Sequence, residues 1–317
     1  MKAVITGAAG FIGSHLTERL LETGHTVVGI DSFDTFYNPQ IKRRNIAPAL
    51  RNPNFHLVEA DIRDQAAMER AIGDDIDAIV HLAARAGVRP SIEQPALYSD
   101  VNINGTVVLL EIARARRIKK FVFASSSSVY GNNKKVPFSE SDNVDFPISP
   151  YAATKKAGEL ICHTYHHLYD IGMTCLRFFT VYGPRQRPDL AIHKFARLID
   201  AGEPIPVFGD GTMRRDFTYI DDIINGVVAA IDRCAGYNIY NLGESRPICV
   251  RDLVAEIEKA LGKKAIRSHL PTQPGDVDQT YADVAKAQRE LGYDPATHIA
   301  TGLARFVAWL RDNDARR

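Results

Sequence analysis

The segment 1–31 limits the possible fold more than any other part of the sequence. A β-branched run at 2–6 leads into three glycines with the spacing GxxGxxG, and an amphipathic helix is predicted from Ser14 to about Glu22. A second strand, 26–30, ends in Asp31. Glycines let the backbone turn tightly and approach a diphosphate, whose charge then lies at the helix N-terminus. This order predicts a dinucleotide-binding βαβ unit whose loop consists of Gly7, Gly10, Phe11, Ile12 and Gly13.

Acidic residues at two strand ends indicate which dinucleotide binds. A carboxylate at Asp31 would accept hydrogen bonds from the adenosine ribose and repel a 2′-phosphate, so NAD is favoured over NADP. Asp61 follows the third predicted strand and is expected to meet the adenine amino group. Further cofactor contacts are expected from Ser32, Ile62, Leu82, Ala83, Ala84, Asn102, Ser125 and Phe178.

Strands and helices alternate along the first part of the chain. Further strands are predicted at 55–60, 77–84, 120–125 and 173–179, and a long polar stretch, 32–53, could close over the adenosine. The alternation predicts an α/β fold with a doubly wound parallel (Rossmann) sheet. Ligands in such sheets bind beyond the carboxyl ends of the strands.

The pattern loosens after residue 180 into loops marked by proline and glycine. We therefore expect an NAD-binding domain at 1–180, to which the chain returns around 216–240. A smaller C-terminal α/β lobe at 181–317 would hold the substrate.

Charge, cysteines and hydropathy argue against several classes of protein. The 39 basic and 38 acidic residues nearly cancel, so no nucleic-acid or membrane surface is expected. The four cysteines have no CxxC spacing, which argues against a metal site and a disulfide scaffold. The sequence has no apolar run of membrane-spanning length, and its first strand begins at residue 2. A cytoplasmic protein is expected.

Tyr151 and Lys155 form the predicted catalytic pair. Residues four apart share one face of a helix, so phenol and ammonium should point the same way. A nearby cation favours the phenolate, which could then remove a proton from an alcohol while a nicotinamide takes the hydride. Ser126, at the end of the fifth predicted strand, could hydrogen-bond the substrate oxygen and relay its proton to Tyr151.

These motifs together resemble the extended short-chain dehydrogenase/reductase superfamily, specifically its nucleotide-sugar epimerases and dehydratases. The resemblance covers essentially the whole chain, since later segments match as well: 176–184, 214–222 and 273–277. It implies that Arg215 clamps a diphosphate, Asp276 holds the uridine ribose, and Phe208, beside Val207, lies against the uracil. Arg89 would face the diphosphate. Relatives pair as homodimers through two helices each, here those containing Leu109 and Leu160.

The residues before Val129-Tyr130-Gly131 distinguish the reactions of this superfamily. Its dehydratases and uronate decarboxylases carry carboxylates there, whereas this chain has Ser127 and Ser128. The difference argues against both reactions and leaves oxidation followed by re-reduction, the chemistry of an isomerase.

Within the family, the motifs are most similar to UDP-glucuronate 4-epimerases, which make UDP-galacturonate. The resemblance implies that Thr180, Arg185, Ser127 and Ser128 bind the sugar carboxylate. Arg85 departs from the glutamine common at its place. The alternatives are UDP-glucose 4-epimerase and UDP-N-acetylglucosamine 4-epimerase. From other classes they are an NAD dehydrogenase of small alcohols and a non-catalytic dinucleotide-binding protein.

Overall fold

The computed structural model describes residues 1–271 and 279–314. The strands in chain order are β1 (Lys2–Thr6), β2 (Thr26–Asp31), β3 (Phe55–Glu59), β4 (Ala78–His81), β5 (Lys120–Ser126), β6 (Gly172–Phe178), β7 (Thr180–Tyr182), β8 (Ile205–Phe208), β9 (Arg214–Arg215), β10 (Phe217–Tyr219), β11 (Tyr237–Leu242), β12 (Ile248–Cys249) and β13 (Arg267–Leu270). The helices are α1 (Phe11–Glu22), α2 (Pro39–Ile46), α3 (Gln65–Ala71), α4 (Val88–Glu93), α5 (Pro95–Ser99), α6 (Gly105–Ala115), α7 (Pro150–Tyr169), α8 (Ala191–Ala201), α9 (Ile220–Asp232), α10 (Val250–Leu261), α11 (Ala285–Leu291) and α12 (Ile299–Asp314).

One parallel sheet organises the molecule. Within the described residues it has seven strands in the order β11-β6-β5-β4-β1-β2-β3. The chain proceeds from β1 outward to β3, then returns to place β4 on the other side of β1. This reversal opens a crevice at the carboxyl ends of β1 and β4, where ligands of such folds bind. The predicted doubly wound sheet is confirmed.

Helices cover both faces of this sheet, which explains why its central strands β1 and β4 are almost entirely buried. In β1, Ala3 and Ile5 belong to one buried cluster and Val4 to the other, as the alternation of side chains along a strand requires. Helices α1 and α9 pack together on the first side, and α3, α6 and α7 pack on the second.

A polar cap fixes where α7 begins. The Ser149 hydroxyl accepts a hydrogen bond from the Ala152 N–H at 3.1 Å, and Pro150 occupies the first helical turn. Both choices suit a helix N-terminus, because the cap satisfies a free N–H and proline has none to offer. The cap places Tyr151 and Lys155 in the first two turns, directly beside the end of β5.

The stretch 32–53 is more ordered than its polar composition suggested. It contains α2, whose N-terminus is capped by the Asn38 side chain on the Gln40 N–H, and a 3₁₀ turn, Ala49–Arg51. The sequence reasoning missed this helix because its mean hydropathy is low and few of its residues are buried. Asn38-Pro39 is a helix-start signal that could have revealed it.

The C-terminal part combines short sheets with helices. Strand β7 pairs with β10, β8 with β13, and β9 with β12, while α10 packs against α8 and α12. The chain returns to the main sheet through β11, which pairs with β6.

The domain boundary at residue 180 stays a prediction. None of the helices formed by residues 1–271 and 279–314 could cross a bilayer.

Candidate active site

A cavity of about 470 Å³ lies at the carboxyl ends of the central strands. Most of the predicted site residues line it: Gly7, Gly10, Phe11, Ile12, Gly13, Asp31, Ser32, Asp61, Ile62, Leu82, Ala83, Ala84, Ser125, Ser126, Ser127, Ser128, Tyr151, Lys155, Phe178 and Thr180. Other predicted residues do not line it, namely Arg89, Asn102, Arg185, Val207, Phe208 and Arg215. Asp276 lies outside the described residues.

The glycine loop forms one end of the cavity. Gly7 has a φ of 73°, and a Cβ there would come within 2.9 Å of the Ala83 nitrogen. A Cβ on Gly13 would come within 2.1 Å of the Gly7 oxygen, so the packing of α1 against the loop needs both glycines. Helix α1 starts after Gly10 without a side-chain cap and has no acidic residue in its first turn. Its free N–H groups therefore suit an anion such as the diphosphate of a dinucleotide.

The two carboxylates that the sequence predicts to bind the adenosine, Asp31 and Asp61, both line the cavity. Asp31 accepts from the N–H groups of Ala9 and Phe33, at 3.1 and 2.8 Å, and from Lys42 Nζ at 3.3 Å. Asp61 accepts from the Arg63 guanidinium, whose hydrogen bonds lower the pKa of that carboxyl. Hydrogen bonds thereby orient both carboxylates at the cavity wall.

The structure brings the three predicted catalytic residues together at the centre of the cavity. Lys155 Nζ donates to the Ala124 carbonyl at 2.6 Å and lies 6.0 Å from the centroid of the Tyr151 ring. Burial lowers the pKa of Lys155 to about 8. Burial raises the pKa of the Tyr151 phenol, while a hydrogen bond with Ser126 and the charge of Arg187 act in the opposite direction.

The structure adds a second cation to the expected pair, while the effect of Lys155 on the phenolate stays a prediction. The ammonium is desolvated and tied to a backbone carbonyl, and the cation that favours the Tyr151 phenolate is Arg187. Lys155 is thus a buried cation that gives up its proton more readily than an exposed lysine does.

The end of β5 determines where the three serines Ser126, Ser127 and Ser128 lie. Ser126 is its last residue, and a 3₁₀ turn, Ser127–Tyr130, carries the next two into the cavity wall. The Ser126 hydroxyl accepts from the Ser128 N–H at 3.1 Å and donates to the Ser128 hydroxyl at 3.2 Å. The cavity therefore has a row of hydroxyls beside Tyr151 in place of carboxylates.

Asn102 does not line the cavity, but it binds residues that surround it. Its side chain is buried, accepts from the Arg85 N–H at 2.8 Å, and donates to the Arg85 carbonyl at 3.0 Å and the Thr154 hydroxyl at 3.0 Å. The prediction of a direct cofactor contact gives way to a role in holding the loop after β4 against α7.

Of the two arginines in Arg185-Gln186-Arg187, Arg187 lines the cavity and Arg185, the predicted one, does not. Arg185 has a φ of 66° and donates from Nη2 to both carboxylate oxygens of Glu18, at 2.8 and 2.9 Å. Arg187 lines the cavity, with 17% of its side chain exposed, and interacts electrostatically with Tyr151. The predicted carboxylate-binding role of Arg185 does not fit this arrangement, because Arg185 does not line the cavity and its Nη2 binds Glu18 of α1.

The remaining predicted substrate residues form a group outside the cavity. The Arg89 guanidinium lies 4.8 Å from the centroid of the Phe208 ring, and Val207 is buried beside it in β8. Arg215, in β9, donates to the Arg214 carbonyl at 2.9 Å and pairs in register with Ile248 of β12. The contact between Arg89 and Phe208 connects α4 with the C-terminal part.

Several cavity residues escaped the sequence reasoning. They lie in the polar stretch after β2, after β3 and in the C-terminal part: Asp34, Phe36, Tyr37, Lys42, Arg63, Val181, Arg187 and Leu190. The aromatic residues within 32–53 were the available signal. In the described part of the chain, no group of three His, Cys, Asp or Glu side chains is placed to hold a metal ion.

Comparison with known proteins gives a consistent result. The model of the NAD dependent epimerase/dehydratase family matches residues 3–243. The chain is 44% identical over 312 residues to UDP-glucuronate 4-epimerase of Thermodesulfobacterium geofontis, covering 98% of this chain and 96% of that one.

Two solved structures share the fold over nearly the whole length. UDP-glucuronic acid 4-epimerase from Bacillus cereus, in complex with UDP-glucuronic acid and NAD, has a TM-score of 0.92 at 40% identity and covers 99% of this chain and 100% of that one. UDP-glucose 4-epimerase from Thermotoga maritima has a TM-score of 0.91 at 32% identity, with 99% of each chain covered.

Proposed function

Because the chain belongs to the NAD dependent epimerase/dehydratase family, we propose that it interconverts UDP-glucuronate and UDP-galacturonate by inverting C4. One observation carries the choice of sugar: Arg187, largely shielded from solvent, lines the cavity next to Tyr151 and the serine row. A guanidinium and several hydroxyls are the donors that a sugar carboxylate needs.

The residues around the cavity suit NAD as the cofactor. The N-terminus of α1 would hold its diphosphate, Asp31 a ribose and Asp61 the adenine. When bound, NAD accepts a hydride from the substrate and returns it, so no net oxidation results.

Tyr151 is proposed to act as the single general base. It takes the proton of the C4 hydroxyl, with Ser126 as a relay, and gives it back after the 4-keto sugar has turned over. Geometry supports this role: burial raises the pKa of the phenol, and the hydrogen bond with Ser126 acts against that rise. Arg187 supplies the positive charge that favours the phenolate.

The carboxylate donors would also protect the intermediate. A 4-keto uronate is a β-keto acid and loses carbon dioxide when the bond to its carboxylate aligns with the carbonyl. We propose that Arg187, Thr180 and Ser127 hold the carboxylate out of that alignment.

Dehydration needs an additional acid and base at the reaction centre, and the uronate decarboxylases that this chain resembles carry a carboxylate there. Among the described residues that line the cavity, the only carboxylates are Asp31, Asp34 and Asp61, and Asp31 and Asp61 belong to the predicted adenosine side. Ser127 and Ser128 occupy the places where acids would act. The cavity therefore supports epimerisation over both reactions.

Replacing Arg187 tests the proposal against a matched control. Arg187→Ala should raise KM for UDP-glucuronate about 10- to 100-fold, since charge-assisted hydrogen bonds contribute roughly 1.5–3 kcal/mol. It should also release some pentose product. Arg185→Ala, two residues away, removes a guanidinium that binds Glu18, and should leave both readouts near those of the wild type. Equal behaviour of the two variants would contradict the assignment.

We also propose a homodimer in the cytoplasm. Helix α7 exposes Leu160 and Leu168, at 55% and 58%, which would pack against a second copy, whereas Leu109 of α6 is fully buried in the core. A monomer in sedimentation would contradict the dimer.

The cysteines support the proposed location in the cytoplasm. All four are free and buried, as suits a reducing compartment.

A further inference from the structure

The ring of Phe36 lies where two arginines from different parts of the chain meet at the cavity. The guanidinium carbon of Arg187 is 5.3 Å from the ring centroid, and that of Arg85 is 5.6 Å away. Phe36 belongs to the segment between β2 and α2, Arg85 follows β4, and Arg187 precedes α8. All three residues line the cavity, so the ring connects its two sides.

Hydrogen bonds connect the backbone of Phe36 with the helix that carries the catalytic pair. Its N–H donates to Asp34 Oδ1 at 2.8 Å, and the same oxygen accepts from Arg85 Nη1 at 2.8 Å. The backbone of Arg85 is fixed by Asn102, which also donates to Thr154, the neighbour of Lys155. The place of the ring relative to Tyr151 is therefore set by hydrogen bonds on the cofactor side of the cavity.

Arg187 is held along one edge and near one aromatic face. Its Nε and Nη2 donate to the two oxygens of Asp189, at 3.0 and 2.7 Å, which fixes one edge of the guanidinium. A guanidinium within about 6 Å of a ring centroid is attracted to that ring. Asp189 therefore holds the Nε–Nη2 edge of the guanidinium, and the Phe36 ring lies close to the same group.

We propose that Phe36 is a positioning residue for Arg187 and thereby sets the preference for a sugar that carries a carboxylate. This inference rests on the proposed function. Without the ring, the guanidinium is oriented by Asp189 alone and meets the carboxylate less well. A neutral hydroxymethyl group at the same place makes no ion pair with Arg187. The affinity for a sugar that carries it should therefore change little when the ring is removed.

Two substitutions at Phe36 separate the aromatic face from the space that the ring fills. Phe36→Leu keeps an apolar side chain and removes the face, whereas Phe36→Tyr keeps the face. Calorimetric titration of the NAD-loaded full chain gives Kd for UDP-glucuronate and UDP-glucose, and NMR gives the pentose fraction. Phe146→Leu is the control, because Phe146 is 81% exposed and does not line the cavity.

Phe36→Leu should lower the affinity for UDP-glucuronate relative to that for UDP-glucose by about two- to thirtyfold, which corresponds to the range of a cation–π contact. It should also raise the pentose fraction. Phe36→Tyr should recover most of the preference, and Phe146→Leu should retain it. In an Arg187→Ala background, Phe36→Leu should have little further effect on this preference, because the two residues act through one contact.

An equal loss of affinity for both sugars, or the same effect of Phe36→Leu with and without Arg187, would overturn the inference and leave the proposed function standing. A wild-type protein without any preference for UDP-glucuronate would overturn both.

Discussion

At the scale of single residues, burial decides the charge of Lys155. The folded protein holds the pKa of this ammonium at about 8, below its usual 10.5. Between these two values the unfolded chain keeps a proton that the folded chain has lost. Stability contributed by this residue therefore increases with pH across that window.

Lys155→Met tests this sign. The free energy of unfolding of the wild type minus that of the variant should increase by about 3 kcal/mol from pH 7 to pH 10.5, which is the pKa difference converted at 1.36 kcal/mol per unit. Chemical denaturation of both proteins at several pH values measures it. A difference that is flat with pH, or that falls, would show that Lys155 is not desolvated.

The two arginines at 185 and 187 show a limit of sequence reasoning at this scale. Both occur in the same motif and could donate to a carboxylate. The positive φ of Arg185 and its ion pair with Glu18, far away in the sequence, decide which one lines the cavity. A contact of that kind depends on how α1 packs against the loop before α8, and no local pattern encodes it.

At the scale of elements, the ends of strands and helices place the chemistry. Gly7 follows β1, Ser126 ends β5, and Thr180 comes two residues after β6, so these groups converge at the carboxyl edge of the sheet. The N-terminus of α7 brings Tyr151 and Lys155 to the same edge. These positions were predictable, because the hydrophobic periodicity, the glycine spacing and the helix-cap residues are local properties of the sequence.

The Ser149 cap of α7 can be tested against another helix cap. Ser149→Ala should lower the free energy of unfolding by about 1 kcal/mol and also lower kcat, because the first turn carries Tyr151. Asp64→Ala removes the cap of α3, where Asp64 Oδ1 accepts from the Ala67 N–H at 3.0 Å. It should cost similar stability with unchanged kcat. If both variants lost the same share of kcat, the cap would have no specific role in the site.

The segment between β2 and α2 was harder to predict than the strand ends. Its composition is polar, and Phe36 gains its role only from Arg85 and Arg187, which the fold delivers from two distant positions. The same reason hid Arg63, whose partners are Asp61 and Asp100. Side-chain contacts across the cavity depend on the assembled sheet, whereas the sheet itself follows from the pattern along the chain.

At the scale of the whole molecule, the parallel sheet and the C-terminal part enclose one cavity with distinct ends. The glycine loop, Asp31 and Asp61 form an end that suits a dinucleotide. Tyr151 and Ser126 lie at the centre, and Arg187 enters from the C-terminal part. Oxidation and re-reduction at one carbon need this arrangement, since cofactor and sugar must meet at a single general base.

The most direct test of this account is NMR of product mixtures after separate incubation of the purified protein with UDP-glucuronate and UDP-glucose, without added NAD. The account predicts that UDP-glucuronate is converted to UDP-galacturonate while UDP-glucose stays unchanged, because Arg187 and the serines require a carboxylate and the cofactor is regenerated in each turnover. Conversion of UDP-glucose alone, or a pentose as the main product, would contradict it.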